Sequence, residues 1–76
     1  MTRPLSVIAR EILTDWDRVS LHAAPYLTAM STLDSVHDTY GADSAKSVIL
    51  YFLSNAQGWR GETARRVKAE LKAMVK

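Results

Sequence analysis

The stretch with the most chemistry in it is Asn55-Ala56-Gln57-Gly58-Trp59-Arg60-Gly61-Glu62-Thr63-Ala64-Arg65-Arg66. It gathers two glycines, a tryptophan and three arginines at what reads as the junction of two helices. A helix start offers unpaired N–H groups and partial positive charge, so it attracts anions. Arg60 with Arg65 or Arg66 would supply planar forks for a phosphate or carboxylate. Trp59 would stack on a base or a guanidinium. The structural alternative uses the same residues differently. Trp59 then plugs the gap between the two helices, with Arg60 stacked on it, as large aromatics are buried on average. Glu62 would neutralise the helix dipole that an anion seeks. The stretch is not a phosphate loop, having neither Gly-x-x-x-x-Gly-Lys-Ser/Thr nor a preceding strand.

Other candidate groupings are weaker. His37 would share a helix face with Asp34 or Asp38, but no nucleophile is spaced to join them. Asp15 and Asp17 are two apart and do not face each other on a helix. His22 and His37 are too far apart for a ligand pair. The chain has no cysteine, which excludes disulfides, Cys-ligated zinc, iron–sulfur chemistry and a thiol nucleophile. The expectation is a non-enzyme with no metal and no cofactor.

Charge is distributed unevenly. Residues 1–38 carry three arginines against five acids, a balance of −2, while residues 39–76 carry seven cations against three acids, a balance of +4. At 100° per residue, Arg65, Lys68, Lys72 and Lys76 lie along one edge of a C-terminal helix. Glu62, Arg66 and Glu70 lie along another, at the i,i+4 spacing of a self-paired solvent face. The basic edge reads either as a solvated face whose late lysines suit the dipole or as a contact. The contact would be for an acidic protein surface, nucleic acid or a phosphate. A net charge of +2 is low for a general DNA coater.

The elements that must hold these residues are helical. Leu5, Ile8, Ala9, Ile12, Leu13 and Trp16 form one stripe, which predicts a helix over 4–17 with Pro4 in its first turn and Val7 out of place. A connection over 18–24 leads to a second helix from Pro25. It carries Tyr26, Leu27, Met30, Leu33, Val36 and Tyr40 and ends between Val36 and Tyr40, with Gly41 as a left-handed stop. A third helix follows Asp43 or Ser44 as cap. Ala45, Val48, Ile49, Phe52, Leu53 and Ala56 are its core face, Leu50 and Tyr51 are apolar flanks, and Gly58 ends it. The fourth runs from after Gly61 to the C-terminus, with Ala64, Val67, Leu71, Met74 and Val75 inward. No segment alternates like a strand. The fold class expected is all-α: a compact bundle of about four helices in one domain spanning 1–76.

The chain has 76 residues, of which 47 % are hydrophobic and 24 % charged. Those are globular proportions. A domain this small buries only about 60 % of its open-chain surface, so close helix packing or self-association must stabilise it. Leu50 and Tyr51 are the candidates for a homo-oligomer contact. No apolar run is long enough to span a membrane, and the opening residues lack the unbroken apolar segment of a secretory signal. The expected compartment is the cytoplasm.

The stretch Asp43–Ala56, followed by Trp59–Arg66 and Lys68–Lys72, resembles a family of small helical proteins encoded by bacteriophages and other mobile elements. Ile8–Ile12, Asp15-Trp16 and Ala24–Leu27 resemble it too. The resemblance implies a phage-type accessory protein in a bacterial host cell, of the kind that blocks a host enzyme, counters a defence system or adjusts transcription. It supplies no site residues. The leading expectation is therefore binding of a host macromolecule, most simply a host protein, through Trp59, Arg60, Arg65, Arg66, Lys68 and Lys72. Two rivals use the same region. One is a nucleic-acid-binding regulator of helix–turn–helix type, with the fourth helix reading the groove. The other is a binder of a nucleotide signal or other small phosphorylated molecule at the Gly58–Arg66 corner.

Overall fold

Among the described residues, nineteen buried apolar side chains form one core, to which all four helices contribute. The computed structural model describes residues 3–75. Their order is α1 (Leu5–Asp15), α2 (Ala24–Met30), β1 (Thr39–Tyr40), β2 (Asp43–Ser44), α3 (Ala45–Ser54) and α4 (Glu62–Met74). Packing runs α1 on α2, α2 on α3, α3 on α4 and α4 back on α1. The molecule is mostly helical, but the two short strands mean it is not purely all-α.

Helix α1 is two residues shorter at its C-terminus than the apolar stripe predicts. Leu5, Ile8, Ala9 and Ile12 are buried. Leu13, expected in the same stripe, is 52 % exposed. Trp16 is buried just beyond the helix, where its backbone N–H closes the last turn on the Ile12 carbonyl. The start of α1 has no side-chain cap. Its first N–H groups are satisfied from elsewhere in the chain: Leu5 donates to the Asp34 carbonyl (3.0 Å) and Ser6 to the Leu33 carbonyl (2.9 Å).

The largest departure from expectation lies in residues 31–44. Helix α2 has only seven residues and ends at Met30, well before Val36. The reason is local competition for backbone groups. Thr28, Ser31 and Thr32 hydroxyls donate to carbonyls three or four residues back. Asp38 then accepts from the N–H groups of Asp34 (2.9 Å) and Ser35 (3.0 Å), which fixes a tight loop. Those two donors hold the Asp38 carboxyl below its ordinary range. Leu33 is buried and Val36 half-buried, as apolar members of a loop and not of a helix.

After this loop the chain makes an antiparallel hairpin, with Thr39 opposite Ser44 and Tyr40 opposite Asp43. Gly41 has φ 60°, the left-handed value expected of it. It serves as the first residue of a two-residue hairpin turn and does not terminate a helix. Ser44 is the cap of α3, accepting from the Ser47 N–H at 3.1 Å. Ala45, Val48, Ile49 and Phe52 are buried as the periodicity requires. Helix α3 ends at Ser54, ahead of Gly58.

Candidate functional site

The corner between α3 and α4 is built around Trp59. Its indole is 2 % exposed. It stacks on Trp16 (5.9 Å between centroids, 15° between planes) and meets Phe52 edge-on at 6.5 Å. Trp16 and Phe52 also meet edge-on, at 6.4 Å. These offset and T-shaped arrangements suit the charge distribution of aromatic rings. The indole N–H donates to Asp15 Oδ2 at 2.8 Å, so its one polar atom is satisfied inside the fold. Trp59 therefore plugs the corner, the structural one of the two readings its sequence context allowed, and is not exposed as a contact residue. It ties the corner to the end of α1, because three large rings fill the space that four short helices leave at one end.

The carbonyls at the end of α3 need partners, since helix ends leave such groups free. Asn55 Nδ2 donates to the Tyr51 carbonyl (2.8 Å), and Ser20 Oγ to that of Asn55 (3.3 Å). Lys68 reaches back from α4 and donates to the carbonyls of both Ala56 and Trp59, each at 2.7 Å. Its ammonium also lies 5.9 Å from the Trp59 ring centroid, the stacking place expected for Arg60. Lys68 is thus half-buried, with its ammonium committed to the corner. Burial, then the like charges of Lys72 and Arg60, push its pKa down.

Gly61 immediately precedes α4 at φ 116°, a left-handed conformation that side chains rarely adopt. No side chain caps this helix start, and Glu62 supplies the acidic residue in its first turn. Trp59, Arg60, Gly61, Ala64, Arg65 and Lys68 line a shallow cavity of ≈ 350 Å³ over it. Arg60, Arg65 and Lys72 are exposed. Among the described residues none of them pairs with a carboxylate. Lys76, the fourth member of the expected edge, lies outside the described residues.

Arg66 is different. It was expected on a self-paired face with Glu62 and Glu70, but it pairs with Glu11 of α1. Glu70 pairs with Arg3 through two hydrogen bonds, Nε to Oε2 at 3.0 Å and Nη2 to Oε1 at 2.7 Å. Arg3 Nη2 is also 2.8 Å from Glu11 Oε1. The result is an Arg3–Glu11–Arg66 and Arg3–Glu70 network that sews α4 to the N-terminal end of the chain. Arg3 first, then Arg66, hold the Glu11 carboxyl below its ordinary range, and Glu70 and Glu11 hold the Arg3 guanidinium more firmly protonated. Arg66 is thus an ion-pair partner of α1, although its side chain remains 56 % exposed. Arg3 went unremarked in the sequence, where a separation of 67 residues from Glu70 gives no signal.

Of the remaining candidates, Leu50 and Tyr51 are about half exposed on α3. His22 and His37 are both exposed. No group of three or more His, Cys, Asp or Glu side chains is placed to hold a metal among the described residues. No described helix is long and apolar enough to cross a membrane. Compared with protein-family models, curated proteins and solved structures, the chain gives no match.

Proposed function

We propose that this is a non-enzymatic binding module of the phage-type accessory class, which docks the outer edge of α4 on an acidic surface of a host protein. The observation that carries the reading is the division of cations along α4 and the turn before it. Arg66 pairs with Glu11 and Lys68 holds the corner together, while Arg60, Arg65 and Lys72 stand exposed with no carboxylate partner among the described residues. Unscreened like charges on a rigid helix raise the local potential and steer an anionic partner. The rigidity comes from the ring cluster beneath.

The two rivals would use the same cations. The regulator reading fits less well, because seven residues, 55–61, separate α3 from α4, against the three or four of a helix–turn–helix. The phosphate-binder reading must contend with Glu62 at the helix start and with a cavity that is shallow. The test is capture from nuclease-treated bacterial lysate on the immobilised protein, beside duplex DNA and nucleotides as separate probes. The proposal expects one host protein to be retained in a salt-sensitive manner. Retention of DNA with a steep salt dependence, or a thermal shift given by a single nucleotide, would replace it by the corresponding rival.

A further inference from the structure

The molecule has a second feature to which α4 contributes nothing. Tyr26 of α2, Tyr40 of β1 and Tyr51 of α3 wall a groove of ≈ 510 Å³, with Pro25 and Val48 in its lining and Asp43 of β2 at its edge. The Tyr26 and Tyr51 rings are stacked, 5.5 Å apart and 24° from parallel. Tyr40 and Tyr51 are 44 % and 54 % exposed. Among the described residues, none of the three phenol hydroxyls makes a hydrogen bond within the protein, and Asp43 makes no ion pair.

Two occupants compete for such a surface. A second copy of the chain would need a broad face. Tyr40 and Tyr51 are the large exposed apolar residues of the groove's lining, each about half open, a small patch beside the ~800 Å² per partner of a standard interface. An extended peptide needs much less. Proline-rich segments are pre-ordered as polyproline II helices, whose prolines have carbonyl acceptors but no N–H donors. Aromatic-walled grooves recognise them by stacking against the rings and donating to those carbonyls. Three tyrosines with unengaged hydroxyls provide both contacts. Asp43 adds charge complementarity: it would pair with a lysine or arginine beside the prolines.

We infer that the Tyr26–Tyr40–Tyr51 groove is a docking site for a proline-rich peptide segment of a partner protein, with Asp43 selecting a flanking basic residue. The site lies apart from the α4 edge and stands or falls independently of it. The test uses the ¹⁵N-labelled protein and four synthetic peptides. Two are decaprolines with a single arginine at either end. The third is an uncharged decaproline, and the fourth has alanine for every proline. Proline peptides are expected to shift the amides of the groove at sub-millimolar concentration, the arginine-bearing ones most. Tyr51→Ala should weaken binding about tenfold. Asp43→Asn should weaken only the arginine-bearing peptides, by about threefold, bringing them level with the uncharged one. Tyr51→Phe, which keeps the ring and the fold, should lie between wild type and Tyr51→Ala. The inference is overturned if no proline peptide moves the groove amides at millimolar concentration, or if the alanine peptide binds equally well. It is also overturned if the same amides move on dilution without peptide, which would assign the groove to a second copy.

Discussion

Helix α4 carries two sets of charges a few residues apart, and they have opposite fates. On the side facing α1, Arg66 and Glu70 meet Glu11 and Arg3, and each charge is answered within the molecule. On the outer side, Arg65 and Lys72, with Arg60 of the turn before the helix, have no carboxylate partner among the described residues, and Lys68 between them is turned inward to backbone carbonyls. The contrast teaches that a cation count along a helix does not measure a binding surface. What matters is how many of the cations the fold has already used. By that measure the six-residue contact read from the sequence contracts to three open cations resting on a structural lysine and a buried tryptophan.

The comparison can be broken or sharpened by substitution. The largest effect should come from the inward side. Trp59→Ala removes the ring stacked on Trp16 and is expected to cost about 3–5 kcal/mol, a large share of the ~5–15 kcal/mol that holds a small domain together. Urea unfolding would measure it, and a loss under 1 kcal/mol would mean the corner is not built as described. Lys68→Met should come next, at about 1–3 kcal/mol, because the Trp59 carbonyl loses its donor and the Ala56 carbonyl keeps only the Trp59 N–H. Should Lys68→Met leave stability intact and abolish binding instead, Lys68 belongs with the open cations.

The paired side gives a pH signature. Glu11 and Asp38 have folded pKa values below their ordinary 4.5 and 3.8. Their stabilising contributions are therefore complete above those values and are lost as pH falls through the lower folded ones. Melting temperature should decline on acidification below about pH 4.5, and Glu11→Gln should flatten that decline while costing about 1 kcal/mol or less at neutral pH. A Glu11→Gln profile as steep as wild type would remove Glu11 from the network. The smallest stability effect belongs to the outer edge. Arg60→Ala, Arg65→Ala and Lys72→Ala together should stay within about 0.5 kcal/mol of wild type.

Much of this was legible in the residues, and the rest was hidden for definite reasons. The periodicity of Ala45, Val48, Ile49 and Phe52 located α3, and Ser44 its cap. Gly61 marked the start of α4, and Ala64, Val67 and Leu71 its buried face. The second helix was drawn too long because Leu33 and Val36 keep the helical spacing. The side-chain oxygens of Thr28, Ser31, Thr32 and Asp38 decide that segment, and periodicity does not register them. The hairpin strands have two residues each, too few to show alternation. At the site, the exposed positions of Arg65 and Lys72 followed from helix geometry, while Arg60 lies in the turn before the helix, where that geometry does not reach. Trp59 was found as a residue, and its plugging role was one of the two readings. Its bond to Asp15 and the Arg3–Glu70 pair join residues 44 and 67 apart, and only the folded chain brings those partners together.

The most direct measurement is retention of the captured host protein by six versions of this chain: wild type, Arg66→Gln, the Arg60→Ala/Arg65→Ala/Lys72→Ala triple variant, and three in which one site of the triple variant is restored. Wild type and Arg66→Gln should retain it equally. The triple variant, folded as well as wild type, should lose at least about tenfold in affinity along with most of the salt dependence, and each restored cation should return part of the loss. Undiminished retention by the triple variant, or loss on Arg66→Gln alone, would contradict the assignment of the outer edge as the contact.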